Sequence, residues 1–299
     1  MKKEVLGSKS PLFGRRTAQL HMKPFIYQTS LKFLDGFSDI EKLELYGAFG
    51  GTPLYLQQVN ANESFEQNIM RAYLKVTSYL YEEALLLLRQ EVQEPGVYSA
   101  IIEAIASGYT KANEISTKIG EDTAKCLKYI KILCELGILH RETPFGEKEA
   151  SRKTIYVISD YMFRFWYRYV FANRTLIETG AQQAVWLNRI EPDYNSYMGL
   201  VFEKVCTDYL SVKNAKGELP ILFTSIGRWW GTNPATHGQE EIDLVASNGK
   251  DYIFGECKWR NEKLTHSVLR GLKAKAEVFG KNRNITYYVF FQNRDSLKK

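Results

Sequence analysis

The sequence predicts an α+β, multi-domain chain: a helical front, a small module of helices and hairpin, and an α/β body around a mixed sheet. Three observations predict it. Apolar residues recur at helical spacing through the first third of the chain. Three short apolar-faced stretches, each followed by a glycine, then precede two short β-prone runs. Further on, β-prone and helical runs are interspersed, and two β-prone runs meet at Asn248-Gly249.

Residues 1–94 read as a mostly helical region. Glycines and prolines cut its first part into short pieces, with helix candidates at 39–46 and 54–59 on either side of Gly50-Gly51-Thr52-Pro53. Residues 64–94 read as one helix: Phe65, Ile69, Tyr73 and Val76 form a stripe that Leu80, Ala84, Leu85 and Leu88 continue, and Pro95-Gly96 stops it. Over residues 95–160, helices are predicted at 97–106 and 111–119, and a third is capped by Asp122 and closed by Gly137. Strand-like runs at 138–142 and 153–158 flank a polar loop, and three helices followed by a hairpin is the order of a winged helix-turn-helix. Residues 161–190 form an aromatic connecting helix with Tyr161, Phe163, Phe165, Trp166, Tyr167, Tyr169 and Phe171, read as packing between domains rather than a base-stacking platform. Residues 191–299 read as helix 194–210, strand 221–229, strands 241–246 and 252–259, helix 264–279 and strand 285–291, an order that gives a mixed sheet with a helix on each side.

The bulk numbers narrow the function classes. With 44% hydrophobic and 25% charged residues, the 299-residue chain has the composition of a globular protein and can build cores. A net charge of +6 leaves room for an acidic partner such as DNA without naming one. The four cysteines form no CxxC pair and have no histidine at zinc-ligand spacing, so neither a disulfide framework nor a zinc site is expected, and a reducing, cytoplasmic setting fits. No membrane span is expected because no apolar run reaches about 18 residues. The first residues carry charge without an apolar core, which is not the pattern of a secretory signal.

The segment that carries chemistry is the predicted hairpin. With a two-residue turn at Asn248-Gly249, Ser247 pairs with Lys250, Asp243 lies opposite Phe254, and Glu241 lies opposite Glu256. Alternation then places Glu241 and Asp243 on one face with Phe254, Glu256 and Lys258. Asp243 and Glu256 become diagonal neighbours that repel unless a proton or cation lies between them. Oxygen-only ligands suit Mg²⁺ or Mn²⁺, and a lysine beside them neutralises charge that develops in a transition state. The bland alternative is a solvated hairpin edge on which Glu-x-Lys is a surface ion pair.

Asp243 followed by Glu256-Cys257-Lys258 resembles the signature of the PD-(D/E)XK, or restriction-endonuclease-like, superfamily, and Glu203 in Gly199-Leu200-Val201-Phe202-Glu203 matches the helix glutamate that often precedes that core. The resemblance spans about residues 190–295. It implies phosphodiester hydrolysis of DNA, with Asp243, Glu256, Lys258 and Glu203 catalytic and Asp243 and Glu256 holding Mg²⁺ or Mn²⁺. Arg228, in Arg228-Trp229-Trp230, is a candidate phosphate contact or else a structural cation. In the winged helix, Lys125, Lys128 and Lys131 on the third helix and Arg152 and Lys153 in the wing are the candidate DNA contacts, against the alternative of a protein-interaction module.

The front end is similar to another family. Ser10-Pro11-Leu12-Phe13-Gly14-Arg15-Arg16-Thr17 and Tyr46-Gly47-Ala48-Phe49-Gly50-Gly51-Thr52-Pro53-Leu54-Tyr55-Leu56 resemble the C-terminal end of an archaeal-type P-loop ATPase, also found in bacteria. In that family a winged helix and a nuclease-like domain follow the ATPase core, which implies that residues 1–94 are the remnant of the ATPase region. The chain has no G-x-x-x-x-G-K-[ST], so it is expected to bind no ATP, and any ATPase half belongs upstream or to a partner in trans. The resulting expectation is a metal-dependent nuclease-like module with a winged helix, cut from an ATPase-nuclease protein. The alternative is a catalytically inactive DNA- or protein-binding module of such a system.

Overall fold

The computed structural model describes residues 17, 18, 20, 22–234, 237–259, 265–280 and 284–292. Most of the Ser10–Thr17 segment, with Arg15 and Arg16, lies outside them. The front consists of α1 (Tyr27–Ser30), α2 (Asp39–Phe49), α3 (Pro53–Leu56), α4 (Phe65–Ile69) and α5 (Tyr79–Glu91). Ser38 and Glu41 start α2 with a reciprocal capping box, and Ser64 and Gln67 do the same for α4. The helix expected over 64–94 is broken. After α4 the chain widens into a π turn, Met70–Leu74, and leaves helical geometry at Lys75. The Ser78 hydroxyl donates to the Ala72 carbonyl at 2.7 Å, a local bond that competes with helix continuation, and Val76 is exposed.

Residues 95–158 form α6 (Pro95–Ala106), α7 (Ala112–Ile119) and α8 (Thr123–Glu135), then an antiparallel pair, β1 (Leu139–Glu142) and β2 (Ile155–Ile158). The Asp122 carboxylate caps α8 by accepting from the Ala124 and Lys125 N–H groups at 2.9 and 3.0 Å. The aromatic segment is a run of short turns rather than one helix: α9 (Tyr161–Phe165), a π turn (Trp166–Val170), a 3-10 turn (Phe171–Asn173), α10 (Arg174–Glu178), α11 (Gln182–Val185) and a second π turn (Trp186–Ile190). Its rings from Tyr161 to Tyr169 are buried, and the polar tips of Trp166 and Tyr167 find partners. Trp166 Nε1 donates to the Tyr81 carbonyl at 2.7 Å, and the Tyr167 hydroxyl to Ser99 Oγ at 2.9 Å. Rings packed this way are core, with no face left for a base.

The C-terminal body has α12 (Glu191–Ala215) and α13 (His266–Ala276) on opposite sides of a four-stranded mixed sheet. Its strands, β3 (Ser225–Thr232), β4 (Gln239–Ser247), β5 (Tyr252–Lys258) and β6 (Ile285–Phe291), are arranged in that order. The first three run antiparallel to their neighbours, and β5 and β6 run parallel. On one side Leu244, Ala246 and Ile253 pack with Leu210 of α12. On the other, Ile242, Val245 and Phe254 pack with Leu272 and Ala276 of α13.

Two details of the sheet correct the sequence reading. The β4–β5 connection is a four-residue loop, so Ser247 pairs with Tyr252 and Leu244 with Gly255. The cause is Asn248: its Oδ1 accepts from the Lys250 and Asp251 N–H groups at 3.0 and 2.9 Å, closing a side-chain turn in place of a two-residue one. The register moves by two residues, so extending the ladder by one step brings Asp243 directly opposite Glu256.

The second detail is a β-bulge. Between the pairs Gly227–Val245 and Trp229–Ile242, β3 supplies only Arg228 while β4 supplies both Asp243 and Leu244. Alternation is therefore reset, and Ile242 and Val245, three residues apart, join the same core.

Candidate metal centre

The bulge decides where each acid points. Strict alternation would set Glu241 and Asp243 on one face with Glu256 and Lys258. Glu241 and Asp243 instead flank Ile242, which faces α13, and they turn toward α12. There one carboxylate oxygen from each of Glu203, Glu241 and Asp243 lies within 4.8 Å of the others. Glu203 enters from the middle of α12, one residue after Phe202, whose ring packs 5.4 Å from that of Trp259. The predicted helix glutamate and aspartate are thus brought together, and Glu241 joins them.

Glu256 and Lys258 alternate with Cys257, whose side chain joins the core on the α12 side. They lie on the α13 side with Phe254. Lys258 Nζ donates to Glu256 Oε1 at 2.5 Å, and Lys275 Nζ of α13 reaches Glu256 Oε2 at 3.2 Å. Glu256 is buried and held between two ammonium groups.

Asp243 joins the two groups. Its Oδ2 accepts from the Cys257 N–H at 2.7 Å, so the carboxylate rests against the β5 backbone between Glu256 and Lys258. Burial, then the Glu256 charge, pushes its pKa up to about 6 against the pull of the Cys257 N–H and Lys258. Glu203 is pushed up to about 8, chiefly by burial. Arg228 pulls its value down, while Asp243, Glu241 and Glu142 push it up. Two acids with such values are a pair that a proton or a cation would stabilise.

Arg228 is enclosed. Its Nε lies 3.2 Å from Glu203 Oε2, at ion-pair distance but not aligned as a hydrogen bond. Nη1 lies 3.2 Å from Glu142 Oε2, and Nη2 pairs with Glu241. Its guanidinium is therefore a counter-ion among carboxylates in this structure, not a group presented to a phosphate. On α8, Lys128 and Lys131 are exposed and Lys125 pairs with Glu121 at 3.0 Å; in the β1–β2 loop Arg152 is exposed and Lys153 pairs with Glu147 at 2.7 Å.

Sequence reasoning left out three participants. Glu241 was placed on the face but given no role, although its neighbour Asp243 carried the signature. Lys275 lies on a helix with no motif, and nothing in the sequence links it to Glu256, its partner in the fold. Glu142 belongs to a different module, and no sequence spacing connects it to Arg228.

Two matches bear on the chain. The family model described as archaeal and bacterial proteins of unknown function (DUF234) matches residues 166–270, which takes in the aromatic segment from Trp166 on, Glu203, Arg228, Asp243, Glu256 and Lys258. The uncharacterized protein MJECL04 of Methanocaldococcus jannaschii is 35% identical over 303 residues, covering 100% of this chain. The chain spans 66% of that protein's length. No solved structure matches. The chain is thus similar end to end to part of a longer archaeal protein, and most of its aromatic segment and of its sheet body carries the DUF234 match.

Proposed function

We propose that the C-terminal body is a divalent-metal-dependent, nuclease-like module that hydrolyses phosphodiesters of DNA, coupled to a DNA-contacting winged helix. The observation that carries this reading is Asp243, held against the β5 backbone so that its carboxylate answers both to Glu256 and Lys258 and to Glu203 and Glu241. The donor set fits a hard cation. Glu142, Glu203, Glu241, Asp243 and Glu256 are five carboxylates, set against three cationic side chains, Arg228, Lys258 and Lys275. Among the described residues, five carboxylates ionised by a bound cation less three ammonium or guanidinium groups would leave two negative charges for that cation to balance, and the ligand atoms of the acidic cluster are all oxygens.

Glu203, Glu241 and Asp243 would hold Mg²⁺ or Mn²⁺ on the α12 side. Glu256, expected from the sequence as a ligand, lies on the α13 side between Lys258 and Lys275 and would hold Lys258 instead. Such an ion supplies a polarised phosphoryl oxygen and an acidified water. Lys258 neutralises charge that develops on the phosphate. Lys275 holds Glu256 in place, and Arg228 holds Glu203 and Glu241. In the winged helix, Lys125, Lys128, Lys131, Arg152 and Lys153 supply sequence-neutral phosphate contacts. Coupling to an ATPase half, in the same polypeptide or in trans, fits the resemblance of the front end and the greater length of the archaeal relative.

The second reading is an inactive DNA- or protein-binding module, and one observation favours it. Both Glu256 oxygens are already engaged by ammonium groups. The test is cleavage of supercoiled plasmid and of single-stranded DNA in millimolar Mg²⁺ or Mn²⁺. Cleavage is expected, and Asp243→Ala or Lys258→Ala should lower its rate by roughly 100-fold or more with circular dichroism unchanged. Salt-dependent DNA binding without cleavage would select the inactive module. Cleavage at full rate in both variants would remove these residues from the chemistry.

A further inference from the structure

Arg228 collects carboxylates from three different elements. Glu203 comes from α12, Glu241 from β4 and Glu142 from β1. Two of these belong to the acidic cluster with Asp243. Glu142 belongs instead to the hairpin module. The same module also grips Arg228 through its main chain. The Phe145 N–H, just beyond β1, donates to the Arg228 carbonyl at 2.7 Å. The Phe145 ring packs against the cluster that contains Trp229 and lies 6.3 Å from the ring of Phe279. One residue of strand β3 is thus held at backbone and side chain by the hairpin loop, and its remaining donors hold two carboxylates of the cluster.

We propose that Arg228 is a positioning residue through which the β1–β2 hairpin sets the orientation of Glu203 and Glu241, so that hairpin docking on β3 and cation binding at the acidic cluster are thermodynamically coupled. The cation half rests on the reading under Proposed function; the coupling rests on the contacts around Arg228. A guanidinium is planar and its donors are fixed relative to one another. Moving the Glu142 carboxylate turns that plane and shifts the points at which Nε and Nη2 meet the other two acids. Arg228, Glu142 and Glu203 are all at least three-quarters buried at the side chain, so water does not readily replace a lost partner. Linkage then works both ways: whatever factor hairpin docking contributes to cation affinity, the cation contributes to docking. A nucleic acid or protein bound to the hairpin module would by this route alter the cluster without touching it.

The test uses the full chain, with Mn²⁺ as the probe. Calorimetric titration of the wild type, Glu142→Gln and Glu142→Asp measures the cation side. Glu142→Asp keeps the charge but withdraws the carboxylate from Nη1, so it separates contact from field. Both variants are expected to change Mn²⁺ affinity by about 5-fold or more. Amide hydrogen exchange over residues 143–154 measures the reciprocal side, in the wild type and in Glu142→Gln. That exchange is expected to change when Mn²⁺ saturates, and not to change in Glu142→Gln. Mn²⁺ binding with no response in the loop, or wild-type affinity in Glu142→Asp, overturns the coupling and leaves the cation reading in place. Absence of Mn²⁺ binding to the wild type overturns the cation reading, and the coupling falls with it.

Discussion

At the scale of single residues, chemistry concentrates where burial and like charge act together. Asp243 rises from an ordinary 3.8 to about 6 and Glu203 from 4.5 to about 8. An acid whose pKa is raised by folding binds its proton more tightly in the native state. Its stabilising contribution is complete below the ordinary value and is lost as pH rises through the folded value. In a chelator, the thermal midpoint should therefore fall between about pH 4 and pH 8 relative to an Asp243→Asn, Glu203→Gln variant, by on the order of 2–4 °C for each kcal/mol lost. A divalent ion takes the place of those protons, so Mn²⁺ affinity should rise over the same interval. Differential scanning fluorimetry across that range, in chelator and in Mn²⁺, reads both trends. Parallel wild-type and variant profiles would show that these two acids titrate normally.

At the scale of elements, small local devices decide the geometry. The Asn248 side-chain turn moves the β4–β5 register by two residues, and the bulge opposite Arg228 sends Asp243 and Glu241 toward α12. Asn-Gly signals a hairpin but does not state its loop length, and a bulge adds one residue without any sequence mark. In the front, the Gly50-Gly51 corner is a close approach. The Phe25 N–H donates to the Gly51 carbonyl at 2.8 Å, and a Cβ on Gly51 would lie 1.8 Å from the Phe25 carbonyl oxygen. Both groups are backbone and have no rotamer to move. Gly51→Ala is expected to cost about 3 kcal/mol, measured by urea unfolding. A loss below about 0.5 kcal/mol would mean that the segment around Phe25 is held loosely.

At the scale of the whole molecule, the predicted boundary at residue 190 runs through a shared core. The first half of α12 buries Tyr194, Tyr197 and Met198. The Tyr194 and Tyr197 hydroxyls donate to the carbonyls of Glu44 and Gly47 on α2, and the sulfur of Met198 packs where a side chain at Gly47 would stand. One core runs from Leu34 through the aromatic segment to Trp259. A fragment of residues 191–299 would expose those three side chains, at roughly 2 kcal/mol each, against a typical domain stability of about 5–15 kcal/mol. It is expected to aggregate or to melt without cooperativity, as judged by soluble yield and calorimetry. A monomeric fragment with a sharp transition would show that the sheet body folds alone.

The sequence by itself determined the α+β class and the order of the elements over residues 95–158 and again from 191 onward, because apolar period, caps and glycine stops are written in neighbouring residues. It also marked Asp243, Glu256, Lys258 and Glu203 for attention, since a short motif on a hairpin and a glutamate on the preceding helix are one-dimensional signals. Tertiary structure alone decided the rest. The break at Lys75, the reset alternation at Asp243, the second lysine at Glu256 and the capture of Arg228 by Glu142 all depend on groups far apart in the chain. Only packing brings such groups within the few ångströms over which hydrogen bonds and ion pairs act.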